Sequence, residues 1–329
     1  LNNFEAMMHF PDFDEKQILF IESFDIKNVS FQNENLIIKE GEKIKTKVSL
    51  YKIFAIFLIG ETTLTSVLIR KFQEFGITVV LMKKNLLPYL VIGNETEGNF
   101  ILRKKQYEKT EEEMLQVAKH IVFLKTRNQL ALLQSFRGKE ESLKDEIQRV
   151  KDIIQKIETS ENYDTLLGYE GNVSKIFFSN YFREVGWYKR APRTKCDVKN
   201  LLLDIGYTYL FHFIEALLRL YGFDNYYGVY HRTWYQRKSL ALDIMEPFRC
   251  IIDKALLKAY NLKQIQEKDF EFRNGQYVLP YEYSQKYSSI FLKEIMSYKK
   301  EMFYFVKDYY KYFMKGKEYF PECHLFSQK

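Results

Sequence analysis

The sequence predicts an α+β protein, with a small N-terminal β-sandwich-like domain carrying one helix and a larger all-α domain after it. Three observations predict this. Residues 1–92 hold short strand-like runs, several separated by Asn, Glu and Gly turn material. From about residue 101 the pattern changes to long stretches with helical spacing. Hydrophobic residues make up 46% of the 329, against only 14 Gly and 6 Pro, so a sizeable core can be buried and a disordered or loop-rich scaffold is excluded.

The strand-like runs fall at 18–22, 29–32, 36–39 and 46–50. Residues 53–59, IFAIFLI, are apolar throughout, as in a strand buried on both faces. Residues 62–75 have helical spacing, with Leu64, Val67, Leu68 and Phe72 on one face. Gly76 is the expected helix stop, and 77–82 is strand-like again. Residues 93–100 read as a linker. One helix is expected to run from the charged stretch at Arg103 through Leu124, and another to cover about 140–157. The acidic run EKTEEEM at 108–114 reads as a solvated helix face. The rest of 101–329 reads as mostly helical, apart from loops near 185–200 and 222–238. There is no repeat of 20–50 residues.

Three cysteines, Cys196, Cys250 and Cys323, form no CxxC pair and no complete disulfide framework, which fits a reducing compartment. No apolar run is expected to reach the roughly 20 residues of a membrane span. No signal peptide is expected either, so the sequence reads as cytoplasmic. The formal net charge of +7 suits an anionic partner such as nucleic acid or a membrane surface, and equally a soluble basic protein with neither.

Candidate chemistry lies in three segments. In LLGYEGNVSKIFFSNYF, residues 166–182, a helix places Leu166, Glu170, Val173, Phe177 and Tyr181 on one stripe. A carboxylate on an apolar stripe is costly unless a cation, a donor or a metal compensates it. The alternative is a glutamate at the stripe's edge paired with Arg or Lys, and structural ion pairs are commoner than active sites. In the segment 228–257, His231 lies in an aromatic loop and Ser239 can cap the helix that follows. Ala241, Met245, Phe248, Ile252 and Ala255 make the apolar face of that helix. Asp243, Glu246 and Asp253 lie on another face, where acids are usually just solvated. Pro247 either kinks the helix or delays its start. One imidazole and two or three carboxylates suit Mg²⁺ or Mn²⁺, which would assist phosphodiester transfer. The third segment, WYKRAPRTK at 187–195, sets Lys189, Arg190, Arg193 and Lys195 beside Trp187 and Tyr188. It reads as a surface for phosphates and unpaired bases, or as a basic interhelical loop. GETTLTS at 60–66 lacks the second Gly and the Lys-Ser/Thr pair of a phosphate loop.

These segments carry a resemblance. Gly168, Tyr169, Glu170 and Gly171, followed by Lys175, Phe177 and Phe178, are similar to a GxEG-like motif of the Cas-one family of CRISPR-associated endonucleases, the spacer-acquisition integrases. Arg190, Pro192, Asp197, Asn200, Gly206 and Tyr207 match a second motif, with Ala191 and Cys196 where prolines are common. Gly228 to His231 match a Gly-x-x-His run, and 239–249 match SLALDxMExFR, with Cys250 where proline is usual. The resemblance implies Glu170, His231 and Glu246 as ligands of Mg²⁺ or Mn²⁺, with Asp243 as a supporting acidic neighbour in the catalytic site. It is the frame for taking Lys175, Lys189, Arg190, Arg193, Arg237, Lys238 and Arg249 as DNA-binding. It further implies a prokaryotic protein acting on double-stranded DNA, both spacer precursor and CRISPR repeat. The N-terminal domain would form a homodimer, and a small Cas-two protein would bridge two such dimers. The reaction would be 3′-hydroxyl transesterification. Two other readings are a non-catalytic nucleic-acid-binding scaffold and a metal-dependent hydrolase of small phosphorylated molecules.

Overall fold

The computed structural model describes residues 10–23, 28–93, 99–137, 140–231, 236–316 and 320–326. A short helix α1 (Phe10–Asp14) precedes strands β1 (Gln17–Glu22), β2 (Asn28–Gln32), β3 (Asn35–Glu40), β4 (Lys43–Ser49) and β5 (Ile53–Ile59). Helix α2 (Ser66–Glu74) then leads to β6 (Thr78–Met82) and β7 (Pro88–Ile92). The strands make two sheets, β1-β5-β6-β7 and β2-β3-β4. In the first, β1, β5 and β6 run parallel and β7 antiparallel. The second is antiparallel throughout.

Strand β5 is buried at every position because its two faces serve two different cores. Ile56 and Leu58 pack with Leu36, Ile38, Leu68 and Phe72, which joins the sheets and α2 as a sandwich. Phe57 and Ile59 pack instead into the larger core of the helical region. Helix α2 starts at Ser66 rather than at 62, since Thr65 is extended and its side chain accepts from the Leu68 amide. Val67 is consequently exposed. Gly76, at φ +63°, ends the helix as expected. Strand β7 and helix α1 were not in the sequence reading.

The helical region holds α3 (Phe100–Tyr107), α4 (Glu111–Gln134), α5 (Glu141–Ile157), α6 (Tyr163–Tyr181), α7 (Val198–Tyr221), α8 (Ser239–Met245) and α9 (Arg249–Asn261). A hairpin of β8 (Glu271–Arg273) and β9 (Gln276–Val278) follows, then α10 (Ser284–Ser297) and α11 (Lys299–Lys315). The single helix expected from Arg103 to Leu124 is two. The break falls at Thr110, whose side chain caps the Glu113 amide while the Glu113 carboxylate accepts from the Thr110 amide. Glu111, Glu112 and Glu113 of the acidic run are therefore the first turn of α4, where carboxylates oppose the positive end of the helix dipole. The all-α expectation also missed the hairpin, although Asn274 and Gly275, both at positive φ, are a two-residue hairpin turn in plain view.

Helix α7 is long and apolar enough to cross a bilayer, but 83% of its most apolar window is buried inside the protein. Its Gly206 sits where a Cβ would lie 2.5 Å from Ile252 Cγ2 on α9 and 2.9 Å from Phe291 Cδ1 on α10. Gly206→Ala is expected to lower stability by about 1–3 kcal/mol, despite the better helix propensity of alanine. Urea denaturation checks this, and a midpoint at or above that of the wild type would show that the α7–α9 contact yields.

Candidate active site

Helix α4 carries an unusual inner face. Ile121, Val122, Leu124 and Leu132 are buried there together with Lys125, Asn128 and Gln129. These polar groups are explained by what they meet. The Lys125 ammonium donates to Glu170 Oε1 on α6 and lies 2.7 Å from Glu246 Oε2. Ser174, one turn after Glu170, donates to the same Glu170 oxygen at 3.1 Å, and Gln129 donates to Ser174. Asn128 donates to the Pro247 carbonyl at 2.8 Å, fixing the chain beside Glu246. One helix thus sets the position of two carboxylates on two other elements.

Glu246 stands at a break between helices. Pro247 has no amide to donate, so the chain tightens into a 3-10 turn, Glu246–Phe248, before α9 begins at Arg249. Arg249 Nε lies 2.8 Å from Glu246 Oε2, and its guanidinium rests on the Tyr207 ring at 4.7 Å. Glu246 Oε2 is thus buried between two cations, Lys125 and Arg249. Burial alone would push the carboxyl up. Arg249, Lys125 and His231 outweigh it and hold Glu246 at about 2.

Asp243 has a different task. It accepts from the amides of Val229 at 2.6 Å, Tyr230 at 3.0 Å and His231 at 2.8 Å, and from His231 Nδ1 at 2.6 Å. The loop can approach only because Gly228 lacks a side chain. A Cβ there would lie 2.6 Å from Ser239 Cβ and 2.8 Å from Asp243 Oδ2. With Nδ1 donating to Asp243, Nε2 is the nitrogen left to meet a second partner. His231 Nε2 faces Glu246 Oε1 at 3.7 Å.

The structure therefore brings Glu170, His231, Glu246 and Asp243 into one site. The expectation that the acids of 239–255 are merely solvated is overturned, because Asp243, Glu246 and Asp253 are each at most 3% exposed. The expected edge ion pair of Glu170 is also present, with Lys125 as its partner. Among the described residues, no three His, Cys, Asp or Glu groups are close enough to enclose an ion as they stand. The donor chemistry nevertheless fits a hard divalent cation. Two carboxylates meet one buried ammonium, Lys125, and His231 Nε2 faces one of those carboxylates at 3.7 Å.

The site opens into a cleft of about 1140 Å³ lined by Arg190, Arg193, Lys195, Arg237, Lys238 and Arg249 among others. Arg190 is tied to Asn200 and Asp204, and Lys238 to the buried Glu215 at 2.6 Å. Arg193 and Arg237 are exposed. Lys189 lies over the exposed Tyr188 ring, and Lys175 is exposed on α6; neither lines the cleft. The hairpin holds the basic loop in place through the Tyr277 amide, which donates to the Lys195 carbonyl at 2.9 Å. Sequence reasoning missed Lys125, Asn128 and Gln129. The signal that singled out Glu170, a charge on an apolar helical stripe, was equally present at Lys125.

The family described as CRISPR associated protein Cas1 matches residues 21–293. The chain belongs to the Cas1 family. A protein named CRISPR-associated endonuclease Cas1 1, from Thermodesulfovibrio yellowstonii, is 28% identical over 262 residues, covering 77% of this chain and 82% of its own. A Cas1 endonuclease from Leptospira interrogans is 33% identical over 190 residues, 53% of this chain and 75% of its own. Among solved structures, a Cas1 protein from Thermotoga maritima has a TM-score of 0.77 at 19% identity, over 94% of this chain and 99% of that one. A casposase bound to integration product gives 0.77 at 20% identity, over 95% and 94%. A Cas6-RT-Cas1–Cas2 complex gives 0.78 at 22% identity, with this chain spanning only 36% of that longer chain. At these identities the structural likeness is one of fold, and it places this chain's architecture with that of Cas1.

Behind Glu246, the Tyr207 hydroxyl donates to the buried Asp253. Burial pushes the Asp253 carboxyl up to about 7, against the pull of Tyr207, Arg249, Arg190 and Lys125. The folded chain keeps this proton where the unfolded chain loses it, from about pH 4 upward. The stability it contributes is present below that and lost as pH rises towards 7. Asp253→Asn keeps an acceptor for Tyr207 and removes the titration. The variant's melting temperature is expected to rise relative to wild type by roughly 5 °C between pH 4 and 8. A difference constant across that range would overturn the assignment.

Proposed function

We propose that this Cas1 chain is a divalent-metal-dependent DNA endonuclease and integrase. It inserts short DNA duplexes into a CRISPR array by attack of a 3′-hydroxyl on a phosphodiester at a repeat boundary. One observation carries the reading: two carboxylates meet on one buried ammonium at the mouth of a basic cleft, and an imidazole oriented by Asp243 faces one of them. The named relatives support it, since they are endonucleases, and the solved neighbours include a casposase with its integration product and a Cas1–DNA complex.

In this reading Glu170, Glu246 and His231 Nε2 hold Mg²⁺ or Mn²⁺. When bound, the ion stabilises charge on the attacking and leaving oxygens. Asp243 is a positioning residue, because its oxygens are already committed to three amides and His231 Nδ1. Arg193 and Arg237 offer exposed cations to the phosphate backbone, with Lys195 and Lys238 at the cleft wall. Lys175 and Lys189 would serve DNA further along its path. Arg190 and Arg249 hold the site's own acids before they meet DNA. Residues 1–92 would form the homodimer contact, and a Cas2 protein would bridge two dimers. The work would take place in the cytoplasm of a prokaryote, where the array lies.

Glu170→Gln, His231→Ala and Glu246→Gln are each expected to cut strand transfer in Mg²⁺ or Mn²⁺ by at least about a hundredfold, with circular dichroism unchanged. Near-normal transfer by folded Glu170→Gln would sink the proposal. DNA binding without any divalent-ion-dependent cleavage would instead support a scaffold. Arg193→Ala and Arg237→Ala test the cleft: each is expected to weaken DNA binding and to reduce the slope of log affinity against log salt by about one. An unchanged slope in both would move the DNA path elsewhere.

A further inference from the structure

Lys125 is a costly residue to bury. Its side chain is 9% exposed, and its ammonium touches Glu170 and Glu246. An isolated ammonium would not remain charged in such a place. The two carboxylates more than offset the burial and hold its pKa above the ordinary lysine value. The converse also holds, since two glutamates facing one point would repel each other without a cation between them. Lys125 therefore keeps the proposed ligand pair assembled when no metal is bound.

We propose that Lys125 is an internal counter-ion that competes with the divalent metal for Glu170 and Glu246, so that the ion enters only by displacing the ammonium. This rests on the metal-dependent reading above. Arg249 does not play the same part. Its guanidinium has a second resting place on the Tyr207 ring, so it can stay when an ion arrives. The charges suggest what the displaced ammonium does. Glu170 and Glu246 meet Lys125 and Arg249, with Asp243 behind them on His231, and a divalent ion added to these leaves the centre with excess positive charge. A phosphodiester entering the cleft supplies the missing negative charge. Metal and DNA binding are thereby coupled through Lys125, and a nuclease built this way holds its ion weakly until DNA is loaded.

Calorimetric titration of the metal-free full chain with Mn²⁺ tests this, comparing wild type, Lys125→Met and Lys125→Arg, with Glu170→Gln locating the ion. Lys125→Met is expected to bind Mn²⁺ at least about tenfold more tightly than wild type, to melt lower without metal, and to gain more on adding it. Lys125→Arg places a fork across both carboxylates and is expected to bind Mn²⁺ more weakly. A DNA duplex is expected to raise the Mn²⁺ affinity of wild type by a larger factor than that of Lys125→Met. If folded Lys125→Met binds Mn²⁺ no more tightly than wild type, Lys125 is not a competitor, while the metal reading stands. If Lys125→Met does not fold, equal or tighter Mn²⁺ binding by Lys125→Arg overturns the proposal in its place. The same enhancement by DNA in both chains overturns the coupling. Absence of any Glu170-dependent Mn²⁺ uptake in wild type and variants overturns the metal reading itself.

Discussion

One buried ammonium organises the centre of this protein. Lys125 on α4 meets Glu170 from α6 and Glu246 from the α8–α9 turn, and none of the three could be buried as a charge alone. Each is tolerable only because the others are there, which makes the packing of three helical elements a condition of the site. The neighbours on α4 extend the same logic. Asn128 holds the Pro247 carbonyl and Gln129 reaches Ser174, so the helix that supplies the cation also sets the carboxylates around it.

A second constraint governs the histidine. Asp243 spends its oxygens on three consecutive amides and one imidazole nitrogen. That fold of the loop needs a residue without a side chain at Gly228, where any Cβ would strike Ser239 and Asp243 itself. The consequence reaches Nε2, which the bond made at the opposite nitrogen turns towards Glu246. Asp243 and Glu246 are three residues apart, yet one is saturated with amide and imidazole donors and the other is held between the Lys125 and Arg249 charges.

The surroundings show how a fold carries a site without taking part in it. Strand β5 is buried on both faces, so the β-region is continuous with the helical core through Phe57 and Ile59. The hairpin β8–β9 braces the basic loop at Lys195. Arg190 and Lys238, attractive as free cations in the sequence, are already paired with Asp204 and Glu215. Their value to the cleft is its shape, whereas Arg193 and Arg237 remain exposed.

Much of this was legible in the sequence, and the limit is physical. Periodicity states which face of an element is buried, so the double burial of 53–59 and the anomaly of Glu170 could be read directly. Local chemistry likewise predicted the stop at Gly76, and the motifs were sufficient for the family. Periodicity does not state what a buried face meets. Asp243, Glu246 and Asp253 looked like solvated acids opposite an apolar face, and became buried only because α4, α7 and the 225–231 loop close over them. Lys125 lay on an apolar stripe in plain sight, but its meaning required two partners from distant parts of the chain. The sequence by itself determined the elements, the family and the suspicion attached to Glu170. The tertiary structure decided which charges share one buried space, because that depends on helix packing and not on the spacing within any helix.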